Sequence, residues 1–317
     1  MKKLPLSLAC WRSLCLLYIY IMCGAAAVAS PRGEFVPPVV GVRFPEALTQ
    51  VAEKADRVRL RAGLASLQQA GVREVVVEIP DSMECKPQTF DRLFTELKRS
   101  GCSVWLVLPV ASEMDGRLCE AMRKWRRSVV LAGWWLPAAS PDLPARLATF
   151  RKAFPEARVG IEAAVAAPAR EMEVLLLSLQ PDLVGIRLSA LQAGWISKSN
   201  LLEGVPAAIL SAQRYLGEWE HVTGRLGLPL YVTDTAYPRN RCYTQPGTYS
   251  ESRDAFYAAV LHRMQESCMY GGSLAGVFLS AFRVNSQPPN TYSLYASDSV
   301  AVQLLREAQP STASASR

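Results

Sequence analysis

Pro229-Leu230-Tyr231-Val232-Thr233-Asp234-Thr235-Ala236-Tyr237-Pro238 is a short apolar stretch that runs into a carboxylate. Leu, Tyr, Val and Thr in succession read as a buried strand. A carboxylate at the carboxyl end of such a strand is costly unless it is paired, hydrogen-bonded or used in chemistry. In a parallel β/α barrel that end opens onto the mouth, where chemistry is done. What the rest of the chain builds, and whether Asp234 has a partner, decide its meaning.

Outward from this stretch, apolar runs alternate with helical patterns. Strands are expected at 39–44, 74–79, 104–109, 129–136, 158–163, 183–188, 231–233 and 274–279. Between and after them, helical periodicity covers 45–70, 89–100, 117–127, 143–154, 169–179, 207–226, 252–269 and 299–308. Gly71 and Gly101 follow the first two helices as stop signals. Strands that are apolar almost throughout belong to a parallel sheet covered on both faces. About 270 residues in eight such units fit a single (β/α)8 TIM barrel, a single α/β domain. A doubly wound open sheet is the alternative fold. The chain has no G-x-G-x-x-G after the first strand and no P-loop, which favours the barrel.

The composition is that of an ordinary globular chain: 317 residues, 50% hydrophobic and 20% charged. Its first 29 residues differ. Lys2 and Lys3 precede an apolar run at 14–22, and Ala27-Val28-Ala29 forms an A-x-A ending. That is a secretory signal pattern, leaving a barrel over 30–308 and a Ser/Ala-rich, disordered tail over 309–317. Cys23-Gly24 offers a lipoprotein acceptor as the alternative, the one route by which a membrane would be involved. The run is shorter than the ~20 residues a spanning helix needs. Export to the periplasm or the extracellular space is expected. Removing Lys2, Lys3 and Arg12 with the signal lowers the formal charge from +7 to +4.

That mild charge does not point to nucleic acid. The cluster Arg123-Lys124-Trp125-Arg126-Arg127 reads as a solvated helix face. Of eight cysteines, five lie beyond the signal, an odd number without metal-ligand spacing. Cys85 and Cys119 follow expected strands on the same side and form the candidate disulfide. His221 and His262, both in helical stretches, are the only histidines. They support neither a histidine metal site nor Ser-His-Asp or Cys-His catalysis. No cofactor motif appears, and nothing fixes the oligomeric state.

In a barrel, the strand ends place Glu78, Trp135, Glu162, Arg187, Asp234 and Phe282 around one mouth, with Trp195 and Tyr237 in the following loops. Phe44, Asp81, Glu84, Glu113, Asp115, Ser140 and Arg283 belong to the same end. Carboxylates, aromatics and arginines together suit a carbohydrate. Aromatic faces stack on sugar rings, while carboxylates accept hydrogen bonds from hydroxyls or do acid/base work.

The 229–238 stretch resembles the strand 7 motif of clan A glycoside hydrolases, family 5 and its relatives, which often reads P-[LIV]-x-[VI]-T-E-[FYW]-G. The helix at 253–260 and the segment Gly271-Gly272-Ser273-Leu274-Ala275-Gly276-Val277-Phe278 resemble the helix and strand that follow it in that family. The resemblance implies that Asp234 stands where the family has its nucleophilic glutamate. It also implies an Asn-Glu pair ending strand 4, and there the match breaks. Trp134-Trp135-Leu136-Pro137-Ala138-Ala139-Ser140 carries no carboxylate. At the end of strand 8, Ser280-Ala281-Phe282 stands where the family has a tryptophan.

These departures matter physically. Retaining hydrolysis needs two carboxyl groups about 5–5.5 Å apart, one of them protonated. Aspartate is a methylene shorter than glutamate, and misplacement by about 1 Å can cost ~10²-fold in rate. Losing the general acid costs a further ~10²–10⁴-fold. The expectation is a catalytically degenerate barrel binding a carbohydrate or a partner in its mouth. Its alternative is an active glycosidase with Asp234 as nucleophile or base and Glu162 as a relocated acid, unless Glu162 is tied up in a salt bridge with Arg187. Glu78, Trp135, Arg187, Trp195, Tyr237 and Phe282 are the expected ligand contacts.

Overall fold

The computed structural model describes residues 38–51, 54–81, 86–201, 203–238, 250–283, 294–295 and 297–309, all within one compact unit. The signal segment with Cys23, and Glu84 and Cys85, lie outside the described residues, as do residues 310–317 of the expected tail. Gln309 itself is described, and its amide donates to the Val40 carbonyl at 3.2 Å.

Eight parallel strands close in chain order: β1 (Val39–Arg43), β2 (Glu74–Glu78), β3 (Ser103–Val107), β4 (Leu131–Pro137), β5 (Arg158–Glu162), β6 (Leu183–Ser189), β7 (Leu230–Ala236) and β8 (Leu274–Leu279), with β8 pairing back onto β1. Outside them lie α1 (Ala47–Gln50), α2 (Lys54–Gln69), α3 (Pro87–Arg99), α4 (Asp115–Ala121), α5 (Leu143–Ala153), α6 (Ala169–Leu179), α7 (Val205–Leu226), α8 (Glu251–Met269) and α9 (Ser299–Glu307). The chain is a (β/α)8 barrel, as its alternation of apolar runs and helical patterns requires.

The helices show why their segments fold as they do. In α3, proline opens the first turn, where its missing N–H costs nothing, and Lys98 and Arg99 face the negative end of the dipole. Phe90, Leu93, Phe94 and Leu97 recur at helical spacing and are buried against the strands. Gly71 and Gly101 take φ of +81° and +65°, the left-handed turn that ends each helix.

Several boundaries differ from expectation, among them β7, expected over 231–233 and observed over Leu230–Ala236. The 45–70 pattern divides into α1 and α2, because periodicity is blind to a break that keeps both apolar faces inward. The basic 117–127 helix ends at Ala121 and continues as the 3-10 turn Arg123–Trp125. Strand β4 starts at Leu131; Val129 is 93% exposed and belongs to the turn before it.

The barrel interior is filled by a layer of its own: Val76, Trp105, Val107, Trp135, Leu183, Tyr231, Ala275 and Phe278. Three of its aromatic rings cluster, with centroids 5.2 Å apart for Trp105–Trp135, 5.7 Å for Trp105–Tyr231 and 5.9 Å for Trp135–Tyr231. Such rings fit only because neighbouring strands present glycine. A Cβ on Gly133 would lie 2.4 Å from Trp105, one on Gly160 2.4 Å from Trp135, and one on Gly276 2.4 Å from Tyr231. Each ring stands beside a glycine of the next strand, Trp105 beside Gly133, Trp135 beside Gly160 and Tyr231 beside Gly276, which solves the packing of a small closed barrel. Beneath the rings, the Trp105 indole N–H donates to Glu74 at 2.5 Å, and the Arg158 guanidinium lies 4.8 Å from the Trp105 ring centroid. The interior is therefore a packed plug, and the mouth above it is a closed-bottomed bowl.

Candidate functional site

Strand β1 ends on Arg43, a guanidinium only 3% exposed at the bottom of the mouth. Its Nε donates to Glu78 Oε1 on β2 at 2.7 Å, and its Nη2 donates to the same oxygen. Its Nη1 reaches across the barrel to Glu162 Oε1 on β5 at 3.0 Å and to the Thr233 carbonyl on β7 at 3.2 Å. The Thr233 hydroxyl also donates to Glu162 Oε1. Burial disfavours the Arg43 charge, but Glu162, Asp234 and Glu78 outweigh it and hold its pKa above the ordinary arginine value.

Asp234 lies within β7, opposite Arg187 on β6, where a register shift between Ile186 and Arg187 brings the two together. Arg187 donates to Asp234 Oδ2 through Nε at 3.0 Å and Nη2 at 2.8 Å. Ser280, just past β8, donates its hydroxyl to Oδ1. Both carboxylate oxygens are thus engaged. Burial raises the Asp234 pKa, but Arg43 and Arg187, with the hydrogen bonds from Ser280 and Arg187, outweigh it and hold the group below the usual aspartate value.

A cavity of about 430 Å³ opens above Arg43 on the β2–β6 side of the mouth. Arg43, Glu78, Asp81, Glu162 and Arg187 supply its charges, while Ile79, Val107, Leu108, Pro137 and Ala138 are among its apolar walls. Asp234 does not line it; the guanidinium bonded to Asp234 does.

The structure brings Glu78, Glu162, Arg187 and Asp234 into one connected mouth, and it redistributes their pairing. Glu162 is bridged by Arg43 and not by Arg187, whose partner is Asp234. The aromatic expectations need correction. Trp135 points into the barrel interior and is fully buried, since in a sheet covered on both faces alternation does not reveal which side a residue faces. Tyr237 is buried, with its hydroxyl donating to the Leu201 carbonyl at 2.7 Å, and burial pushes it up to about 12. Phe282 is buried edge-on against Phe44, centroids 5.3 Å apart. Trp195 is half-buried, 5.9 Å from the Tyr215 ring, and does not line the cavity.

Other strand-end residues build the walls. Asp115 and Ser140 accept hydrogen bonds from the buried Arg146 of α5, which also holds the Val110 carbonyl, so one guanidinium ties the loops after β3 and β4. Arg283 pairs with Glu46 at 2.8 Å. Cys119 carries a free thiol, raised by burial to about 11, while its expected partner Cys85 is outside the described residues. Among the described residues, no group of three or more His, Cys, Asp or Glu is placed to hold a metal ion, and no helix is long and apolar enough to cross a membrane.

Sequence reasoning missed Arg43, Thr233 and Ser280. Arg43 was visible by the rule that singled out Asp234, a charge ending an apolar strand. Ser280 stands where the resemblance led one to look for tryptophan, and its hydroxyl occupies Asp234 instead.

A parallel barrel with its charged residues gathered at the strand carboxyl ends has the general layout of a (β/α)8 barrel with a site in its mouth. No family model and no curated protein matches the sequence. Solved structures share the fold. A glycoside hydrolase family 5 mannosidase from Rhizomucor miehei is 12% identical, with a TM-score of 0.71 over 86% of this chain and 92% of that one. A variant of that mannosidase in complex with mannosyl-fructose superposes with a TM-score of 0.72 at 11% identity, over the same shares of each chain, 86% and 92%. Thermotoga maritima Cel5A, described in complex with mannotriose, is 13% identical with a TM-score of 0.56, over 86% of this chain and 98% of that one. The chain has the fold of a family 5-like glycoside hydrolase barrel.

Proposed function

We propose that this chain is an exported glycoside hydrolase-like barrel that binds a carbohydrate in its mouth without hydrolysing it. One observation carries the reading. Asp234, at the nucleophile's place, has both oxygens engaged and lies outside the cavity, behind the arginine that neutralises it. A nucleophile needs an oxygen open to the reacting carbon, and its partner must hold a proton to give. Asp234 is held charged and covered, and Glu162 is ion-paired to Arg43. Carbohydrate binding is supported more coarsely, by the fold shared with carbohydrate-active enzymes and by a cavity rich in hydrogen-bonding carboxylates. Export rests on the signal pattern of the first 29 residues.

The test is a panel of aryl-glycosides and β-linked oligosaccharides incubated with the purified mature protein, together with a glycan array. Retention of a glycan with no turnover is the expected result. Turnover that Asp234→Asn abolishes would overturn the reading in favour of a two-carboxylate glycosidase.

A further inference from the structure

The unpaired oxygens of the mouth say more about the ligand. Both Arg43 bonds to Glu78 fall on Oε1, and both donors to Glu162, Arg43 and Thr233, also fall on Oε1. Neither Oε2 has a hydrogen-bond partner among the described residues. Glu162 is only 5% exposed and lines the cavity, so its free oxygen has the cavity as its open side. Glu78, 40% exposed, and the exposed Asp81 stand above it on the β2 side. The guanidiniums offset this charge only in part. All three donor nitrogens of Arg43 are committed, and Arg187 gives Nε and Nη2 to Asp234. Among the described residues, three carboxylates, Glu78, Asp81 and Glu162, therefore line the cavity beside two arginines, Arg43 and Arg187, the second already paired with Asp234 outside it.

We infer that the ligand of this cavity is a saccharide carrying a protonated amine, its ammonium seated against the open oxygens of Glu78 and Glu162. This rests on the reading of the mouth as a glycan site. An ammonium donates to both oxygens and balances the excess negative charge, which a neutral hydroxyl leaves standing and an acidic sugar increases. The apolar walls at Ile79, Val107, Leu108 and Ala163 suit the C–H face of a sugar ring, and no aromatic ring among the described residues lines the cavity.

The experiment titrates the mature protein calorimetrically with three β-1,4-linked tetrasaccharides that differ at one substituent: the glucosamine tetramer, its fully N-acetylated counterpart, and cellotetraose. The glucosamine tetramer is expected to bind about tenfold more tightly than the other two, the size of one charged hydrogen bond. That advantage shrinks as salt rises. Glu78→Gln brings its affinity down to that of the acetylated tetramer, and Asp81→Asn, at a rim residue with no described partner, lowers it in the same direction. Thermal melts of both variants check that the loss is not unfolding. Equal binding of all three ligands, or tighter binding of a neutral one, overturns the inference and leaves the glycan site intact. Binding of none, with a blank glycan array, overturns both.

Discussion

Asp234 and Arg43 show how the same residue type changes meaning with its neighbours. Asp234 is held below its unfolded pKa chiefly by Arg43 and Arg187, against the opposing effect of burial. A carboxylate so held stabilises the fold above its unfolded value of about 4 and loses that contribution as pH falls toward the folded value. Asp234→Asn should therefore be less stable than the parent at pH 7, and the gap, read from urea denaturation across pH, should narrow below about pH 4. A gap independent of pH would show that Asp234 is not held charged by its arginines. At this scale the sequence was partly legible. Asp234, Glu162, Glu78 and Arg187 stood out because a charge in an apolar strand is costly wherever it is found. Their pairing did not, because it depends on a register shift in β6–β7 and on Arg43 spanning the barrel.

Among elements, the strands were the more legible half, and β8 was read to the residue at 274–279. Trp135 illustrates what such a reading lacks. A strand buried on both faces offers no polar–apolar alternation, so mouth and interior look alike until the opposing strand is known. The opposing residue here is Gly160, and the pair is the informative unit. Gly160→Ala should cost about 1–3 kcal/mol, the usual range for overpacking, because the added carbon would lie 2.4 Å from the rigid Trp135 indole, which is packed on every side. Gly217→Ala on α7, where nothing lies within 4 Å of the added carbon, should instead raise stability by up to about 1 kcal/mol. Chemical denaturation of the two variants side by side measures the contrast. Equal effects would mean that helix propensity alone governs both.

For the whole molecule, the closed ring of strands, the buried plug and the shallow bowl form one sequence of consequences. Closure leaves no free sheet edge, the plug gives the bowl a floor, and the end of β1 sets Arg43 where it can reach carboxylates on β2 and β5. The plug also has an optical consequence. Trp105 and Trp135 are held 5.2 Å apart at an interplanar angle of 30°, close enough for their electronic transitions to couple. The barrel should therefore show an exciton couplet in circular dichroism that belongs to the tertiary fold and not to its helices. On heating, the couplet should vanish together with the calorimetric transition, and Trp105→Phe should remove it from the folded protein. Its survival in that variant would assign it elsewhere. Trp135 sits two residues before Pro137 on the cavity wall, so these indoles are chromophores placed beneath the cavity. Occupancy of the cavity by the colourless sugar proposed for it can then be followed by light, with no label attached.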